Sequence, residues 1–449
     1  MKLSGLILRV SLTAMVLLSL VFSALIWRNP SRLGRTETSS ALKTTQETSA
    51  SQQAAYLYVP TTAYYQTGSQ KVQLLQKDQS ATGEIHKTIR QWQLKQVNSS
   101  VQLSTSALAA LLTQTDTLQL TFSGPVTFGV FNAHYFAKPL KNVPSFQFDR
   151  LIIDLKNRKP KLTLVDDSTR MSRTATLAKS PTTKLRAYLQ KAQPSGLPVV
   201  EKRLNGKLVP YYAKPVALSP YAFLLDQQNA NHFVSLLMPT NSAAAVDSRE
   251  IGDESIYTLG DTRMTLNSSS SVMQYEDPGK TTKSTRLGTA LNKGEAAISQ
   301  LNLQGITSMH YFSYDKGSRT VSFRSYAQGL PIFNSLDNGL VQTVSSESGL
   351  TTTFSLNNLT VAIPTSQALK TLPATQTVLT QMAAAGYAQS TIQDIRLGYY
   401  WRPQSASSQV VDLTPTYFVE LNGQYRRYTE WLTPQAVEGQ NQPAAQVIR

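Results

Sequence analysis

The pattern of hydrophobic and polar positions begins with one long apolar segment, residues 10–27, which carries no charge and lies between Arg9 and Arg28. A helix needs about 20 predominantly apolar residues to cross a hydrocarbon core roughly 30 Å thick. We therefore predict a single-pass protein of the cell membrane, with residues 1–9 in the cytoplasm and residues 10–27 as its transmembrane helix. Long domains translocate largely regardless of flanking charge, so the rest of the chain is expected to be extracellular.

A cleavable signal peptide is the alternative interpretation of this segment. Signal peptides have an apolar region of about 7–15 residues that ends at small residues, and residues 21–24 (VFSA) could form such a cleavage site. The apolar stretch nevertheless continues to Trp27, an aromatic residue of the kind that anchors a spanning helix at the membrane interface. The length of the segment and its final tryptophan favour an uncleaved anchor.

Beyond the apolar segment, the chain changes first to a polar stretch and then to a folded part. Residues 36–55 consist almost wholly of Thr, Ser, Gln, Ala and Glu, and such a stretch cannot bury enough apolar surface to fold. Residues 56–431 are too many for one hydrophobic core. The expected divisions are a flexible stalk at 28–55, an N-terminal α+β domain at 56–195, a strand-rich middle domain at 196–283, a C-terminal α+β domain at 284–431 and a disordered tail at 432–449.

Within the folded part, the spacing of apolar residues predicts an α+β fold of antiparallel sheets with flanking helices. A helical period predicts helices at residues 84–97, 104–112 and 183–191. Alternation of apolar and polar residues, with a turn at Gly124–Pro125, predicts strands at residues 118–122, 126–131, 150–155 and 161–165.

The last part of the chain repeats one pattern, in which a helix is followed by antiparallel strands. The first copy has a helix that contains Gly294, at residues 291–303, and strands at 307–314 and 319–327. The second copy has a helix at 374–385 and strands at 391–402, 409–421 and 424–431. Asn422–Gly423, between the last two strands, is the strongest kind of short hairpin signal. We expect two similar α+β modules in this region.

Composition narrows the possible functions. The absence of cysteine excludes disulfides and thiolate metal sites. The net charge is +16, and because only Lys2 and Arg9 are charged before the apolar segment, +14 lies beyond it. Such a balance favours nucleic acid, an anionic membrane surface or an anionic polymer as a partner. No nucleic-acid-binding motif accompanies the basic residues, so we expect wall polymers or lipid headgroups and no nucleic acid.

The sequence offers little catalytic chemistry. Its four histidines are dispersed without metal-ligand spacing, and it lacks nucleophile-elbow, phosphate-loop and zinc-protease motifs. Asp166–Asp167 and Asp253–Glu254 are adjacent carboxylates. Neighbours on a strand point to opposite faces, so we interpret both pairs as solvated turn acids. We expect no enzyme, no metal and no cofactor; an exported enzyme, the alternative, would need a cluster of histidines and carboxylates.

Several segments together resemble the YycH family in their order and spacing, and the resemblance covers essentially the whole chain. They are residues 235–242 (SLLMPTNS), 256–263 (IYTLGDTR), 273–278 (MQYEDP), 321–333 (VSFRSYAQGLPIF), 398–401 (GYYW) and 413–423 (LTPTYFVELNG). The last two segments are also similar to the related YycI proteins. The Thr/Ser/Gln stalk and the large positive net charge depart from what the family leads us to expect.

The resemblance implies an accessory regulator of the essential two-component system formed by the sensor histidine kinase WalK (YycG) and the response regulator WalR (YycF). That system governs cell-wall metabolism in low-GC Gram-positive bacteria. The implied partners are the kinase and YycI, which would assemble with this protein through transmembrane helices and exterior domains, without catalysis. The alternative function is an exterior module that binds an anionic cell-wall polymer through teichoic-acid phosphates.

Four residues of the apolar segment recur at every fourth position and so share one face of a helix. They are Ser11, Met15, Ser19 and Ser23. Helices in lipid associate through close packing of small residues and through interhelical hydrogen bonds. We therefore predict that this face contacts a helix of the kinase or of YycI. The alternative is that the serines are merely tolerated on a helix that faces lipid.

Overall fold

The computed structural model of the protein describes residues 56–75, 80–157, 159–240, 245–303, 308–363, 367–402 and 409–433. The predicted transmembrane helix at 10–27 and stalk at 28–55 lie outside these ranges, as does the predicted tail beyond residue 433. Within the described ranges, no helix is both long and apolar enough to cross a membrane.

The helices of the described residues are short and mostly connect strands. In chain order they span Ala81–Ile89 (α1), Thr105–Leu112 (α2), Phe128–Tyr135 (α3), Thr183–Ala192 (α4), Ala230–Leu237 (α5), Leu287–Leu301 (α6), Thr375–Ala384 (α7) and Tyr428–Leu432 (α8). Ser104 caps α2 by accepting a hydrogen bond from the N–H of Ala107 at 3.0 Å. Asn302 ends α6 in the left-handed conformation.

The first half of the described chain forms one antiparallel sheet. Its strands are Thr62–Thr67 (β1), Gln70–Gln73 (β2), Gln93–Val97 (β3), Val101–Gln102 (β4), Thr117–Thr127 (β5), Gln147–Asp154 (β6), Lys161–Val165 (β7), Met171–Lys179 (β8) and Leu197–Pro198 (β9). They lie in the order β3-β8-β7-β6-β5-β1-β2-β9, and β4 also pairs with β8. We call this the N-terminal sheet.

A hairpin follows, formed by Val200–Leu204 (β10) and Lys207–Tyr211 (β11). The remaining strands are Val216–Leu218 (β12), Tyr221–Gln227 (β13), Asp247–Ile251 (β14), Glu254–Leu259 (β15), Thr262–Asn267 (β16), Val272–Asp277 (β17), Met309–Asp315 (β18), Thr320–Ala327 (β19), Leu330–Phe333 (β20), Leu340–Ser345 (β21), Leu350–Ser355 (β22), Asn357–Ile363 (β23), Lys370–Leu372 (β24), Asp394–Trp401 (β25), Val410–Leu421 (β26) and Gln424–Arg427 (β27).

Most of these strands belong to a second, larger sheet, which we call the C-terminal sheet. Its order is β14-β15-β16-β17-β22-β21-β19-β20-β25-β26-β13-β23, with β18 on β19 and β27 on β26. β20 and β25 pair in parallel, with Ile332 opposite Tyr399, and this pairing joins its two halves. β12 pairs with β24 separately.

Two hydrophobic cores hold the sheets together. One core lies against the N-terminal sheet and continues into α6, β18 and β19, where Leu291, Tyr311 and Phe323 are fully buried. The hydroxyl of Tyr58 donates a hydrogen bond to the carbonyl of Leu291 at 2.6 Å within it. The second core packs β25 and β26 against hairpin β10–β11 and α7. The two sheets are therefore packed on each other rather than joined by an open linker.

The predicted α+β class is confirmed, but four local predictions were wrong. The turn predicted at Gly124–Pro125 lies inside the continuous strand β5, and the strand predicted at 424–431 ends at Arg427, where α8 follows. The helix predicted at 84–97 ends at Ile89, and residues 93–97 form β3 instead. The strand predicted at 126–131 is replaced after Thr127 by α3. Phe128, Phe131 and Tyr135 are buried on one face of α3, because their spacing of three and four residues is helical.

The domain divisions expected at 195/196 and 283/284 stay predictions, although backbone pairing crosses both positions. Val72 pairs with Pro198 across the first, and Tyr275 pairs with Thr352 across the second. The duplication of the last two modules also stays a prediction. Each predicted copy does show a helix followed by antiparallel strands, α6 with β18 and β19, and α7 with β25 and β26.

Candidate functional site

An open cleft of about 480 Å³ lies where the N-terminal sheet, hairpin β10–β11 and the C-terminal sheet meet. The N-terminal sheet contributes Arg150 from β6, and the hairpin contributes Glu201 and Lys207. The C-terminal sheet contributes Asp394 and Arg396 from β25. All three structural parts thus present charged side chains to one space.

Arg150 is the centre of the first charged group and is only 2% exposed. Its Nε donates to both carboxylate oxygens of Asp167, at 3.0 and 2.9 Å. Its Nη2 donates to Asp167 Oδ2 at 2.7 Å and to Glu201 Oε1 at 2.6 Å. Burial would lower the pKa of Arg150, but the two carboxylates hold it well above its usual range. The guanidinium is therefore charged and fixed in position.

Glu201 links this group to the hairpin. Its Oε2 accepts a hydrogen bond from Lys71 Nζ at 2.7 Å, in addition to the contacts with Arg150. Gln119 completes the network by accepting from both Lys71 Nζ and Arg150 Nη1, each at 3.0 Å. Burial would raise the pKa of Glu201, yet the charges of Arg150 and Lys71 lower it to about 2. Glu201 is consequently ionised throughout the physiological range of pH.

Asp149 lies beside this network in the wall of the cleft. Burial, together with the negative charge of Asp167, raises the pKa of Asp149 to about 8. Its Oδ1 accepts a hydrogen bond from the N–H of Asp167 at 2.9 Å. The raised pKa favours the neutral form of Asp149, and in that form the two cations Lys71 and Arg150 face the two carboxylates Asp167 and Glu201.

A second charged group lies on the opposite side of the cleft around Asp394. Its Oδ2 accepts hydrogen bonds from Lys207 Nζ and from the hydroxyl of Tyr425, both at 2.7 Å, and from Arg396 Nε at 2.9 Å. Burial would raise the pKa of Asp394, but Arg396 and Lys207 hold it well below its usual range. Arg396 Nη1 also donates to Ser123 Oγ, on the N-terminal sheet, at 3.4 Å.

The hairpin is therefore tied to both sheets. Glu201 on β10 is bonded to Arg150 of the N-terminal sheet, and Lys207 on β11 is bonded to Asp394 of the C-terminal sheet. A molecule in the cleft would contact both sheets and the hairpin together. Among the described residues that line the cleft there is no histidine. The arrangement is suited to binding and to holding the two sheets in one orientation.

The predicted contact residues Ser11, Met15, Ser19 and Ser23 lie outside the described residues. No cluster of three or more potential metal ligands occurs in the described part of the chain. His310 and His86 are buried, and burial lowers the pKa of each to about 4; His310 Nδ1 lies 2.9 Å from the carbonyl oxygen of Tyr56. Both therefore act as neutral core residues.

The interpretation of Asp166–Asp167 as solvated turn acids was right about the turn, which follows β7, but wrong about the solvation. Asp166 is buried and accepts hydrogen bonds from the N–H groups of Ser168 and Thr169, each at 3.0 Å. Asp167 is the ion-pair partner of Arg150. The partners of Asp166 are local, but Arg150 is 17 residues from Asp167, so no local spacing could indicate that ion pair. Asp253 and Glu254 are exposed, as expected.

Fold and site together define an α+β protein of two packed sheets, bridged by an ion-paired hairpin around an open cleft. The chain belongs to the YycH family. The family model described as "YycH protein, N-terminal domain" matches residues 7–190, and the one described as "YycH protein, C-terminal domain" matches residues 208–435. The resemblance found in the sequence is thereby confirmed.

A solved structure shares this fold. The crystal structure of YycH from Bacillus subtilis has a TM-score of 0.66 to this chain, covers 84% of it and 97% of the Bacillus chain, and is 16% identical in sequence. None of the curated proteins matches this chain significantly. Membership of the family makes the protein a membrane-associated regulator of the WalK/YycG two-component system, in a family that is not a known enzyme family.

Proposed function

We propose that the protein is a single-pass accessory regulator that modulates the WalK/YycG histidine kinase by forming a complex with the kinase and with YycI. Its N-terminus would lie in the cytoplasm and its folded part outside the cell. The observation that carries the proposal is the order of the two family matches, 7–190 and 208–435. Together they cover nearly the whole chain, and the first includes the apolar segment at 10–27.

Regulation without catalysis requires a difference in binding. The protein can shift the kinase between signalling states only if it binds one state more tightly than the other. A coupling free energy of about 1–3 kcal/mol would change the kinase equilibrium about 5- to 150-fold. Contacts of ordinary size, in the membrane and outside it, can supply such a difference, so no active site is needed.

The membrane contact is proposed for the face formed by Ser11, Met15, Ser19 and Ser23. Ser19 and Ser23 form a pair of small residues four positions apart, which allows two helices to approach closely. Each interhelical hydrogen bond is worth about 0.6–2 kcal/mol in a membrane. Loss of two such contacts is therefore enough to weaken a complex measurably.

We expect the double variant Ser19→Leu, Ser23→Leu to reach the membrane normally but to lose most of its co-purification with the kinase and YycI. The matched control is Thr13→Leu, Ala24→Leu, which makes the same kind of change on the opposite side of the helix at 100° per residue. The measurement is the amount of each partner recovered per tagged protein from solubilised membranes. Equal recovery for wild type and both variants would exclude this face as the contact.

A second candidate function is binding of an anionic wall polymer by the exterior part. The observation that favours it is the excess of +14 charge beyond the apolar segment, which attracts anionic partners. This function is compatible with the first, because a bound polymer could be the signal that the regulator reports to the kinase.

A further inference from the structure

A second cavity, of about 150 Å³, lies in the C-terminal sheet away from the cleft. It is bounded by β24, by the end of β25, by β26 and by the junction of β27 with α8. Three cationic residues line it: Lys370 and Arg402, which are exposed, and Arg427, which is half-buried. We call this cavity the basic pocket.

The sheet fixes the floor of the basic pocket. Tyr400 on β25 lies directly opposite Thr414 on β26, so their side chains share one face of the sheet. Thr416 lies two residues further along β26 and therefore points to the same side. The guanidinium carbon of Arg427 lies 3.9 Å from the centre of the Tyr400 ring, and this stacking holds Arg427 at the wall.

The pocket has more positive than negative charge. Glu430 pairs with Arg427, its Oε1 accepting from Nη2 at 2.6 Å and from Nε at 2.9 Å. Within the described residues, neither Lys370 nor Arg402 has an ion-pair partner. Partial desolvation lowers the pKa of Lys370, and the positive charges of Arg427 and Arg402 lower it further. A second carboxylate, Asp412, lies beside the cavity on β26, two residues before Thr414, and its backbone carbonyl accepts from the N–H of Arg402 at 3.3 Å. Three cations and two carboxylates leave one excess positive charge around the cavity.

Hydroxyl groups add donors without adding charge. Thr414, Thr416 and Thr429 line the same cavity, and each hydroxyl can donate one hydrogen bond. A phosphate group has enough acceptor oxygens to use cations and hydroxyls on several sides at once, and hydrogen bonds from Lys and Arg to phosphate are among the strong ones. The donor set and the uncompensated charge thus suit a phosphate group.

We propose that the basic pocket is a phosphate-binding site in which Lys370 and Arg402 hold the anion and Arg427 closes one wall. The inference rests on the second function proposed above, and it names the site that would engage a phosphate of the polymer. A repeating wall phosphate and a phospholipid headgroup present the same chemistry to this pocket.

The test uses the full chain in phosphatidylcholine nanodiscs, titrated separately with inorganic phosphate, with poly(glycerol phosphate) and with phosphatidylglycerol vesicles. The test variant is Lys370→Gln, Arg402→Gln. Loss of a charged hydrogen bond weakens binding about tenfold or more, so we expect at least that loss with inorganic phosphate. The polymer and vesicle titrations identify the natural source, because the one that uses the pocket shows the same loss.

Two control variants and one stability measurement distinguish loss of the binding site from a general loss of positive charge and from misfolding. Lys316→Gln, Arg249→Gln removes the same two kinds of charge from positions that are also exposed but do not line the pocket. It should change each affinity less than about twofold, as expected for charges screened beyond about 10 Å at ordinary salt. Lys370→Arg, Arg402→Lys keeps the charges and should keep most of the binding. The thermal unfolding midpoint of every variant shows whether it is folded.

The possible results distinguish failure of the proposed phosphate site from failure of the proposed polymer-binding function. A loss confined to Lys370→Gln, Arg402→Gln, with an unchanged unfolding midpoint, supports the basic pocket. If poly(glycerol phosphate) binds to the wild type and equally to this variant, the site is overturned while polymer binding stands. If the wild type binds none of the three probes, both the site and the polymer function are overturned.

Discussion

Replacing Glu201 with glutamine removes one negative charge from the ion network without changing the shape of the side chain. Glu201 is 5% exposed and accepts from Lys71 Nζ at 2.7 Å and from Arg150 Nη2 at 2.6 Å. The substitution leaves both cations buried with only Asp167 to compensate them. A glutamine amide also presents a donor where the cations need an acceptor.

Two independent arguments give the size of the effect. Breaking a buried ion pair by removing one partner costs about 3–5 kcal/mol. The pKa of Glu201 is lowered from its ordinary value of 4.5 to about 2, which corresponds to about 3 kcal/mol at 1.36 kcal/mol per pH unit. Because this pKa is lower in the folded state, the contribution is complete above pH 4.5 and is lost as the pH falls from 4.5 towards 2.

The assay is urea unfolding followed by the fluorescence of the buried Trp92 and Trp401. We expect Glu201→Gln to lower the free energy of unfolding by about 3–5 kcal/mol at neutral pH. Glu250→Gln, at an exposed position of β14, is the matched control and should stay within about 0.5 kcal/mol of wild type. If both variants unfold at the same urea concentration, the network does not stabilise the fold and the reasoning fails.

Two further predictions concern two helix glycines and a buried histidine. Gly294→Ala should destabilise the protein by about 1–3 kcal/mol, because the new Cβ would lie 2.8 Å from Phe323 Cε2. Gly83→Ala in the open first turn of α1 should instead stabilise the protein by about 0.5–1 kcal/mol. If the two variants shift the thermal unfolding midpoint by the same amount in the same direction, this contrast is contradicted. His310→Gln should reduce the loss of stability between pH 6.5 and 4, where burial keeps native His310 neutral while the unfolded chain gains a proton. The difference between the urea midpoints at neutral pH and at about pH 5 measures this loss of stability. If wild type and His310→Gln show the same difference, native His310 is not kept neutral in this range of pH.

The sequence predicts best those elements whose signals are local. Residues 104–112 and 183–191 were predicted as helices, and the structure has helices at Thr105–Leu112 and Thr183–Ala192. The hairpin at Asn422–Gly423 is confirmed, because both residues adopt the positive φ values, 51° and 75°, that the predicted turn requires. Such features depend on a few residues that are neighbours in the chain, and a single sequence displays those residues directly.

The cleft could not be predicted, because its partners are distant in sequence. Glu201 is 51 residues from Arg150 and 130 residues from Lys71. The rule that adjacent strand residues face opposite ways does not apply to Asp166 and Asp167, because β7 ends at Val165 and the two residues lie in the turn that follows. Here the hairpin places Glu201 beside Asp167 and Arg150, so an acid expected in solvent becomes part of a buried network.

The position of hairpin β10–β11 suggests a role for the buried ion network around Arg150 and Glu201, although burying charges is energetically unfavourable. Residues 191–207 lie between the two family matches, and this segment carries both Glu201 and Lys207. Replacing a buried ion pair with apolar residues often preserves or increases stability, so stability alone does not require these charges. Ion pairs have a defined geometry, however, whereas apolar contacts tolerate sliding. We therefore infer that the network fixes the orientation of the two sheets, so that a ligand or partner bound to either sheet meets a surface of constant shape.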